Sequence, residues 1–227
     1  MALSHTHGIA LSCLAAVTAA CGSAATGSVN TGPDPSAGGQ SESSHVARAS
    51  ADSARYPYTG ADVRFMSQMI GHHAQAVVIS RWVPTRTGNT SIRTLAARII
   101  NAQQDEIAAM QTWLRDRRQA VPDAMGLPTT KVNGAAHHVH MPGMLTEAQM
   151  KQLDAARGHE FDRMFLTLMI QHHQGAVSMV EELFGTSGAA QDETVFRLAS
   201  DVNVDQVTEI ARMQTMLAAL TPNTPSQ

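Results

Sequence analysis

Residues 61 to 220 repeat their apolar and polar positions at the spacing of α-helices. One side of the first helix follows i, i+3, i+7, i+10 and i+14 and consists of Asp62, Phe65, Met69, His72 and Ala76. No stretch alternates with a period of two, so we expect almost no β-strand. The pattern predicts four long helices at about 61–82, 91–118, 159–184 and 191–220.

Proline and capping residues set the predicted helix ends. Pro84 predicts that the first helix ends near Trp82, because proline lacks the amide hydrogen that a helix uses. A long connection of about 121–145 follows the second helix. Thr146 has capping-box spacing and predicts a short helix over 147–157 within this central connection.

The helical region contains an internal repeat. The pattern D-x-x-F-x-x-x-M-I-x-H-H-x-x-A-V begins at Asp62 and again at Asp162, and E-I-x-x-M begins at Glu106 and again at Glu209. A single helical hairpin cannot bury its apolar side alone, so the two copies are expected to pack together. The sequence therefore predicts an all-α four-helix bundle over 61–220, with repeat one at 61–118 and repeat two at 159–220.

The N-terminal region is typical of an exported lipoprotein. Residues 1–20 contain no Asp, Glu, Lys or Arg, and their apolar run has signal-peptide length. Small residues before Cys21 resemble a lipobox and predict its lipidation, whereas a disordered apolar tail is the alternative. The Gly, Ser, Ala and Pro of 21–60 predict a flexible linker, and 221–227 a disordered tail. We expect a membrane-anchored lipoprotein on the outer face of the cytoplasmic membrane, or a periplasmic protein.

Composition adds a bias towards soft metal ligands. The chain contains 13 Met and 11 His but only nine aromatic residues, from 5 Phe, 2 Trp and 2 Tyr. Its net charge of −3 argues against a basic nucleic-acid-binding surface. Cys13 lies in the predicted signal peptide, so lipidation of Cys21 would leave no thiol for a disulfide, a zinc site or a nucleophile.

The paired histidines are the strongest candidates for chemistry. In each repeat a methionine lies one helical turn before two adjacent histidines. The candidate metal ligands on the helices are Met69, His72, His73, Met169, His172, His173 and Met179. Adjacent side chains point about 100° apart on a helix. We therefore expect one histidine of each pair to face the bundle centre and the other a seam between helices.

A stripe on the second helix of each repeat lies level with the histidines, counting back through the hairpin turn. Its members are expected to be alternative ligands or to orient the imidazoles through hydrogen bonds. These residues are Gln103, Glu106 and Met110 in repeat one and Gln206, Glu209 and Met213 in repeat two.

A second His/Met group lies in the central connection. It consists of His137, His138, His140, Met141 and Met144. His-rich loops are typical of metal capture, and a solvated flexible loop is the alternative interpretation.

Thioethers and imidazoles without thiolates favour Cu(I), with Cu(II) accepted by the imidazoles and other divalent metals left open. Zinc would favour cysteine and carboxylate, and a di-iron bundle would need Glu-x-x-His, which the sequence lacks. The sequence also lacks the G-x-S-x-G, P-loop, G-x-G-x-x-G and H-E-x-x-H motifs. No catalytic residue is assigned, and an enzyme is disfavoured.

The doubled His-His motif, followed in each copy by E-I-x-x-M, resembles domain-of-unknown-function family 305 over about 61–220. The resemblance implies a ferritin-like fold and export, as in periplasmic copper-binding proteins of the CopM type. It also implies copper ligation by His and Met, including Met110 and Met213, and the M-P-G-M turn at 141–144 is familiar in such proteins. Ile79 stands where repeat two has Met179, so we expect fewer thioethers at the first site.

The sequence thus favours copper sequestration or handover in the cell envelope. Expected partners are the metal ion, other copper-handling proteins and the membrane through a lipid anchor only, with no nucleic acid. One alternative is a ferritin-like metalloenzyme that uses Glu106 and Glu209 as ligands. The other is a metal-free structural or interaction module whose histidines form hydrogen bonds within the core.

Overall fold

A computed structural model describes residues 43–51, 57–123, 129–132, 135–138 and 141–220, with backbone only for 129–132 and 135–138. The predictions for the signal peptide 1–20, Cys21 and the tail 221–227 lie outside these residues. The described residues form six helices and one β-hairpin. These elements are α1 (43–51), α2 (Gly60–Arg86), α3 (Thr90–Asp116), β1 (Thr129–Val132), β2 (Ala135–His138), α4 (Glu147–Ala155), α5 (Gly158–Gly185) and α6 (Glu193–Leu220).

The four long helices form the predicted bundle of two hairpins, so the all-α fold class is confirmed. Helices α2 and α3 pack as one hairpin, α5 and α6 as the other, and α2 crosses α5 at the centre. The first half of α2 packs with the second half of α5, and the second half of α2 with the first half of α5. The two central helices are therefore antiparallel. None of the described helices combines the length and apolar character that a membrane crossing requires.

Three local features differ from the sequence prediction. Helix α1 lies within the predicted linker 21–60, because the Gly- and Pro-rich composition stops before residue 43 and Ala49 is buried. Helix α2 continues through Pro84 to Arg86. Proline in the last turn costs only one helical hydrogen bond, and the Thr87 amide still donates to Val83. The helix predicted at 147–157 ends earlier, at Ala155.

Two buried aspartates near the starts of α2 and α5 tie each hairpin to the turn of the other. Asp62 accepts hydrogen bonds from the amide and hydroxyl of Thr59, at 2.6 and 2.8 Å, and from the amide of Ala190, at 2.7 Å. Asp162 accepts a hydrogen bond from Nδ2 of Asn89 at 3.2 Å. The repeated aspartates therefore join the two halves of the bundle as well as complementing the helix dipoles.

We expect Asp62→Ala to lower the free energy of unfolding by about 3 kcal/mol, because it removes a charged acceptor from one buried and two partly buried donors. Asp162→Ala is expected to cost about 1 kcal/mol, since it removes the longer contact with Asn89. Urea unfolding of both variants measures the difference. Equal losses would contradict this assignment of the Asp62 contacts.

Candidate metal centre

A polar layer crosses the middle of the bundle between two apolar clusters. Each long helix contributes residues to both clusters on either side of this layer. The first, here called the Met-rich cluster, includes Phe65, Met66, Met69, Met110, Met141, Met179 and Trp113. The second cluster includes Ile79, Leu95, Phe165, Met169 and Met213. The layer itself contains His72, His73, Gln103, Glu106, His172, His173, Gln206 and Glu209.

His72 and His172 meet where α2 crosses α5. Their ring centroids are 3.9 Å apart, the ring planes are tilted by 37°, and both side chains are 0% exposed. The centre of the bundle therefore contains two facing imidazoles, one from each repeat. This is the position that we expected for one histidine of each pair.

His73 and His173 point into the seams within each hairpin. Nε2 of His73 lies 2.7 Å from Oε2 of Glu106, although their angles do not meet hydrogen-bond geometry. Nε2 of His173 forms a 2.8 Å hydrogen bond with Oε2 of Glu209. Both glutamates are mostly buried, so each repeat places one carboxylate against one imidazole, as the register of the hairpin predicts.

A third carboxylate lies near these two glutamates. Partial burial, and then the charges of Glu106 and Glu209, raise the pKa of Asp205 above its ordinary value. Arg98 acts in the opposite direction. The side of the polar layer formed by α3 and α6 is therefore acidic.

Burial lowers the pKa of His72 from 6.5 to about 3, and the charges of His73 and His173 act in the same direction. The hydrogen bond with Pro142 opposes this shift. Burial, followed by the charges of His72, His173 and His73, also places the pKa of His172 well below its ordinary value, and a backbone contact with His72 opposes this shift. Both central imidazoles are consequently uncharged at neutral pH, the state in which histidine binds a metal.

Several buried polar atoms of this layer have no hydrogen-bond partner among the described residues. They include Nδ1 of all four histidines, Nε2 of His172, both amide atoms of Gln103 and the amide oxygen of Gln206. Unpartnered buried polar atoms are uncommon and need an explanation, such as an ion or water. A soft cation beside the Met-rich cluster would satisfy the imidazole nitrogens.

Residues 141–145, here called the central strap, cover the crossing of α2 and α5. The carbonyl oxygen of Pro142 lies 3.0 Å from Nε2 of His72. Gln75 holds Leu145 twice, because its side-chain nitrogen donates to the Leu145 carbonyl at 3.0 Å and its oxygen accepts from the Leu145 amide at 2.8 Å. The side chain of Gln171 donates to the carbonyl of Gly143 at 3.3 Å.

The central strap touches α5 at a glycine. A Cβ added to Gly175 would lie 2.0 Å from the Pro142 oxygen, and one added to Gly143 would lie 2.6 Å from the Gln171 carbonyl. Gly143 also has a φ of +73°, which favours glycine. The contact therefore requires glycine on both sides. Sequence reasoning missed Gly175 and Gln75, which occupy equivalent positions of the two repeats.

The thioethers are distributed differently from our prediction. Because α2 and α5 are antiparallel, Met179 joins the cluster that contains Met69, whereas Ile79 joins the cluster of Met169. The prediction of fewer thioethers at the first site is therefore wrong, and the Met169 side has fewer. Met141 also enters the Met-rich cluster with 2% exposure, and Met144 packs against it.

The His/Met group of the central connection is only partly described. The sequence predicts a loop there, but His137 and His138 belong to β2, which pairs antiparallel with β1. Their side chains and all of His140 lie outside what the structure describes. The signal that we missed is the Asn133-Gly134 dipeptide, which is typical of a two-residue hairpin turn.

The donor set fits a soft metal better than a hard one. Among the side chains that the structure describes, no three His, Cys, Asp or Glu residues are grouped to hold an ion. A complete site there would need thioethers as well as imidazoles. Cu(I) accepts this combination, whereas Zn²⁺ and Mg²⁺ favour other donors.

We expect acid to destabilise the metal-free protein. Between pH 6.5 and about 3 the unfolded chain binds a proton at position 72 that the folded chain does not, so the free energy of unfolding falls as pH falls. Each such histidine contributes about 1.4 kcal/mol per pH unit. In urea unfolding with a chelator present, His72→Gln should reduce this pH slope. His159→Gln, which replaces an exposed histidine, should leave it unchanged, and an unaltered slope in His72→Gln would contradict the assignment.

Comparison with known proteins gives one family. The sequence matches the family model described as "Domain of unknown function (DUF305)" over residues 62–217. Uncharacterized protein L153 of Acanthamoeba polyphaga mimivirus is 39% identical over 57 residues, which are 25% of this chain and 38% of that protein. The match thus spans well under half of that relative.

Solved structures share the fold. A DUF305 protein from Streptomyces coelicolor, described as secreted, aligns with a TM-score of 0.59 and 31% identity over 70% of this chain and 93% of that one. CopM aligns in its Cu(II)-bound form with a TM-score of 0.56 and 27% identity over 70% and 97% of the two chains. Its Cu(I)-bound form aligns with a TM-score of 0.53 and 26% identity over 70% of this chain and 96% of that one. This chain is a member of the DUF305 family.

Proposed function

We propose that this chain is an exported protein that binds copper, mainly as Cu(I), and sequesters it or hands it over in the cell envelope. The observation that carries the proposal is the pair of uncharged, facing imidazoles of His72 and His172 beside the Met-rich cluster. Export and the lipid anchor at Cys21 rest on the sequence of the N-terminal region. The secreted relative supports export.

The chemistry of the donors supports a soft cation. Neutral imidazole and thioether are ligands for Cu(I), and neither has to lose a proton to bind it at neutral pH. Met69, Met141 and Met179 are buried in the same apolar cluster next to the histidine layer. In this proposal they and the central histidines hold the ion, and the apolar surroundings exclude water from it.

The two mostly buried glutamates are placed to orient the histidine rings of the site. Histidine ligands commonly give their second nitrogen to a carboxylate, which fixes the ring and raises its basicity. Glu209 forms such a hydrogen bond with His173, and Glu106 lies 2.7 Å from Nε2 of His73. In the proposed function they hold these rings in place, so that the Nδ1 atoms face a bound ion.

The family supports copper as the metal. CopM structures contain Cu(II), Cu(I) or Ag, and these are the soft and borderline ions that imidazole and thioether select. The three histidines of the His/Met group in the central connection, His137, His138 and His140, are proposed as a second capture site.

We expect the purified chain to bind Cu(I) more tightly than about 1 μM in competition with a chelator. Replacing both central histidines, as His72→Ala with His172→Ala, should weaken binding by about 100-fold, because both imidazole donors are lost. Micromolar or weaker binding by the wild type would refute sequestration. An unchanged affinity in the double variant would move the site to the central connection.

The thioethers can be tested by conservative replacements. Met141→Leu should weaken Cu(I) binding by about tenfold while keeping the packing, because leucine has a similar volume but no sulfur. Met164→Leu, in a partly buried residue against the second cluster, is the matched control and should leave the affinity unchanged. Equal effects in both variants would indicate that the methionines only pack.

The two alternatives give different results. A metalloenzyme would contain two bridged ions with Glu106 and Glu209 as ligands, which metal analysis and spectroscopy of the native protein would reveal. A metal-free module would have a melting temperature that does not respond to Cu(I), because only a ligand of the folded state stabilises it.

A further inference from the structure

The central strap makes the two facing histidines unequal. His72 and His172 occupy equivalent positions of the repeat and face each other at the centre of the bundle. Nε2 of His72 contacts the Pro142 carbonyl at 3.0 Å. Neither nitrogen of His172 meets hydrogen-bond geometry with a described residue, and the backbone contact that raises its pKa is with His72 rather than with the strap. The repeated sequence therefore presents two different imidazoles at the site.

The contact with Pro142 fixes where the proton of His72 lies. A carbonyl oxygen can only accept a hydrogen bond, so Nε2 of His72 must carry the hydrogen. In a neutral ring with its hydrogen on Nε2, the lone pair lies on Nδ1. That atom is buried without a partner among the described residues, which leaves it available to an ion.

Besides Gln171, which donates to the Gly143 carbonyl, Gly175 and Gln75 hold the strap at this position. Gly175 admits the Pro142 carbonyl, because any Cβ there would lie 2.0 Å from its oxygen. The side chain of Gln75 forms hydrogen bonds with the carbonyl and the amide of Leu145, at 3.0 and 2.8 Å. Residues 75 and 175 are equivalent in the repeat. Repeat two therefore supplies the glycine that makes room for the Pro142 carbonyl, and repeat one supplies the glutamine that binds Leu145. The strap can consequently engage His72 but not His172 in the same way.

We propose that Gly175 and Gln75 are positioning residues that act through the Pro142 carbonyl to hold His72 in its Nε2–H form, so that His72 offers an ion only Nδ1. His172 has no such contact with the strap and supplies the other donor of the pair. This inference deepens the proposed function, on which its consequence for copper binding rests. The state of the His72 proton itself does not depend on any metal.

The first experiment measures that proton directly in the full chain without metal. Long-range ¹H–¹⁵N spectra of histidine side chains distinguish the two neutral forms, and His72→Gln assigns the signal. We expect the Nε2–H form at position 72 in the wild type and its loss or mixture with the Nδ1–H form in Gly175→Ala. Gly185→Ala is the matched control on α5, because its added Cβ meets no atom within 4 Å among the described residues.

The second experiment measures Cu(I) affinity in the same variants by competition with a chelator. Loss of a group that fixes a ligand histidine typically weakens metal binding by about 10–100-fold, so we expect a loss of at least about tenfold in Gly175→Ala. Gly185→Ala should retain the wild-type affinity. If Gly175→Ala does not fold, Gln75→Leu releases the strap at its other attachment and should give the same two changes.

The outcomes separate this inference from the proposed function. An Nδ1–H form of His72 in the wild type, or an unchanged form in folded variants with the strap released, would overturn the role of the strap. If the position of the His72 proton changes while the Cu(I) affinity does not, the strap would likewise have no positioning role in metal binding. Failure of the wild type to bind Cu(I) would instead refute the proposed function, while the metal-free spectra would still report on His72.

Discussion

Two uncharged imidazoles at the centre of an apolar bundle impose most of the arrangement around them. His72 and His172 are 0% exposed and face each other, so a proton on either ring would be a buried charge beside a second ring that could also be charged. Each neutral ring still keeps one donor and one acceptor nitrogen. The strap carbonyl satisfies the donor of one ring, and the remaining lone pairs point to a ligand that carries positive charge.

The contacts that follow from helical register could be predicted from the sequence. The repeated motif placed the histidines on helices, and the hairpin turn brought Glu106 and Glu209 level with them, because both relations depend only on residue spacing. The prediction failed where it depended on helix direction. The sequence assigned Met179 to the site of its own repeat, whereas the antiparallel crossing of α2 and α5 puts it with Met69.

The strap was harder to predict because its contacts use backbone atoms. No side-chain pattern indicates that the Pro142 carbonyl meets His72, and Gly175 looked like an ordinary substitution within a helix. The β-hairpin and helix α1 were missed for a different reason. Composition averaged over a long segment concealed a turn dipeptide in one case and a stretch free of Gly and Pro in the other.

Both apolar clusters draw residues from all four long helices, so neither cluster belongs to one repeat. The duplicated unit is one helical hairpin, whereas each apolar cluster forms only when both hairpins are present. One copy alone would reach the same arrangement only as a homodimer, in which each chain would supply one of the two facing histidines. Joining the copies through the central connection replaces a concentration-dependent encounter with an intramolecular one. It also lets a single segment of chain lie across the symmetry axis. A symmetric dimer would carry two copies of that segment, and only one of them could occupy the axis.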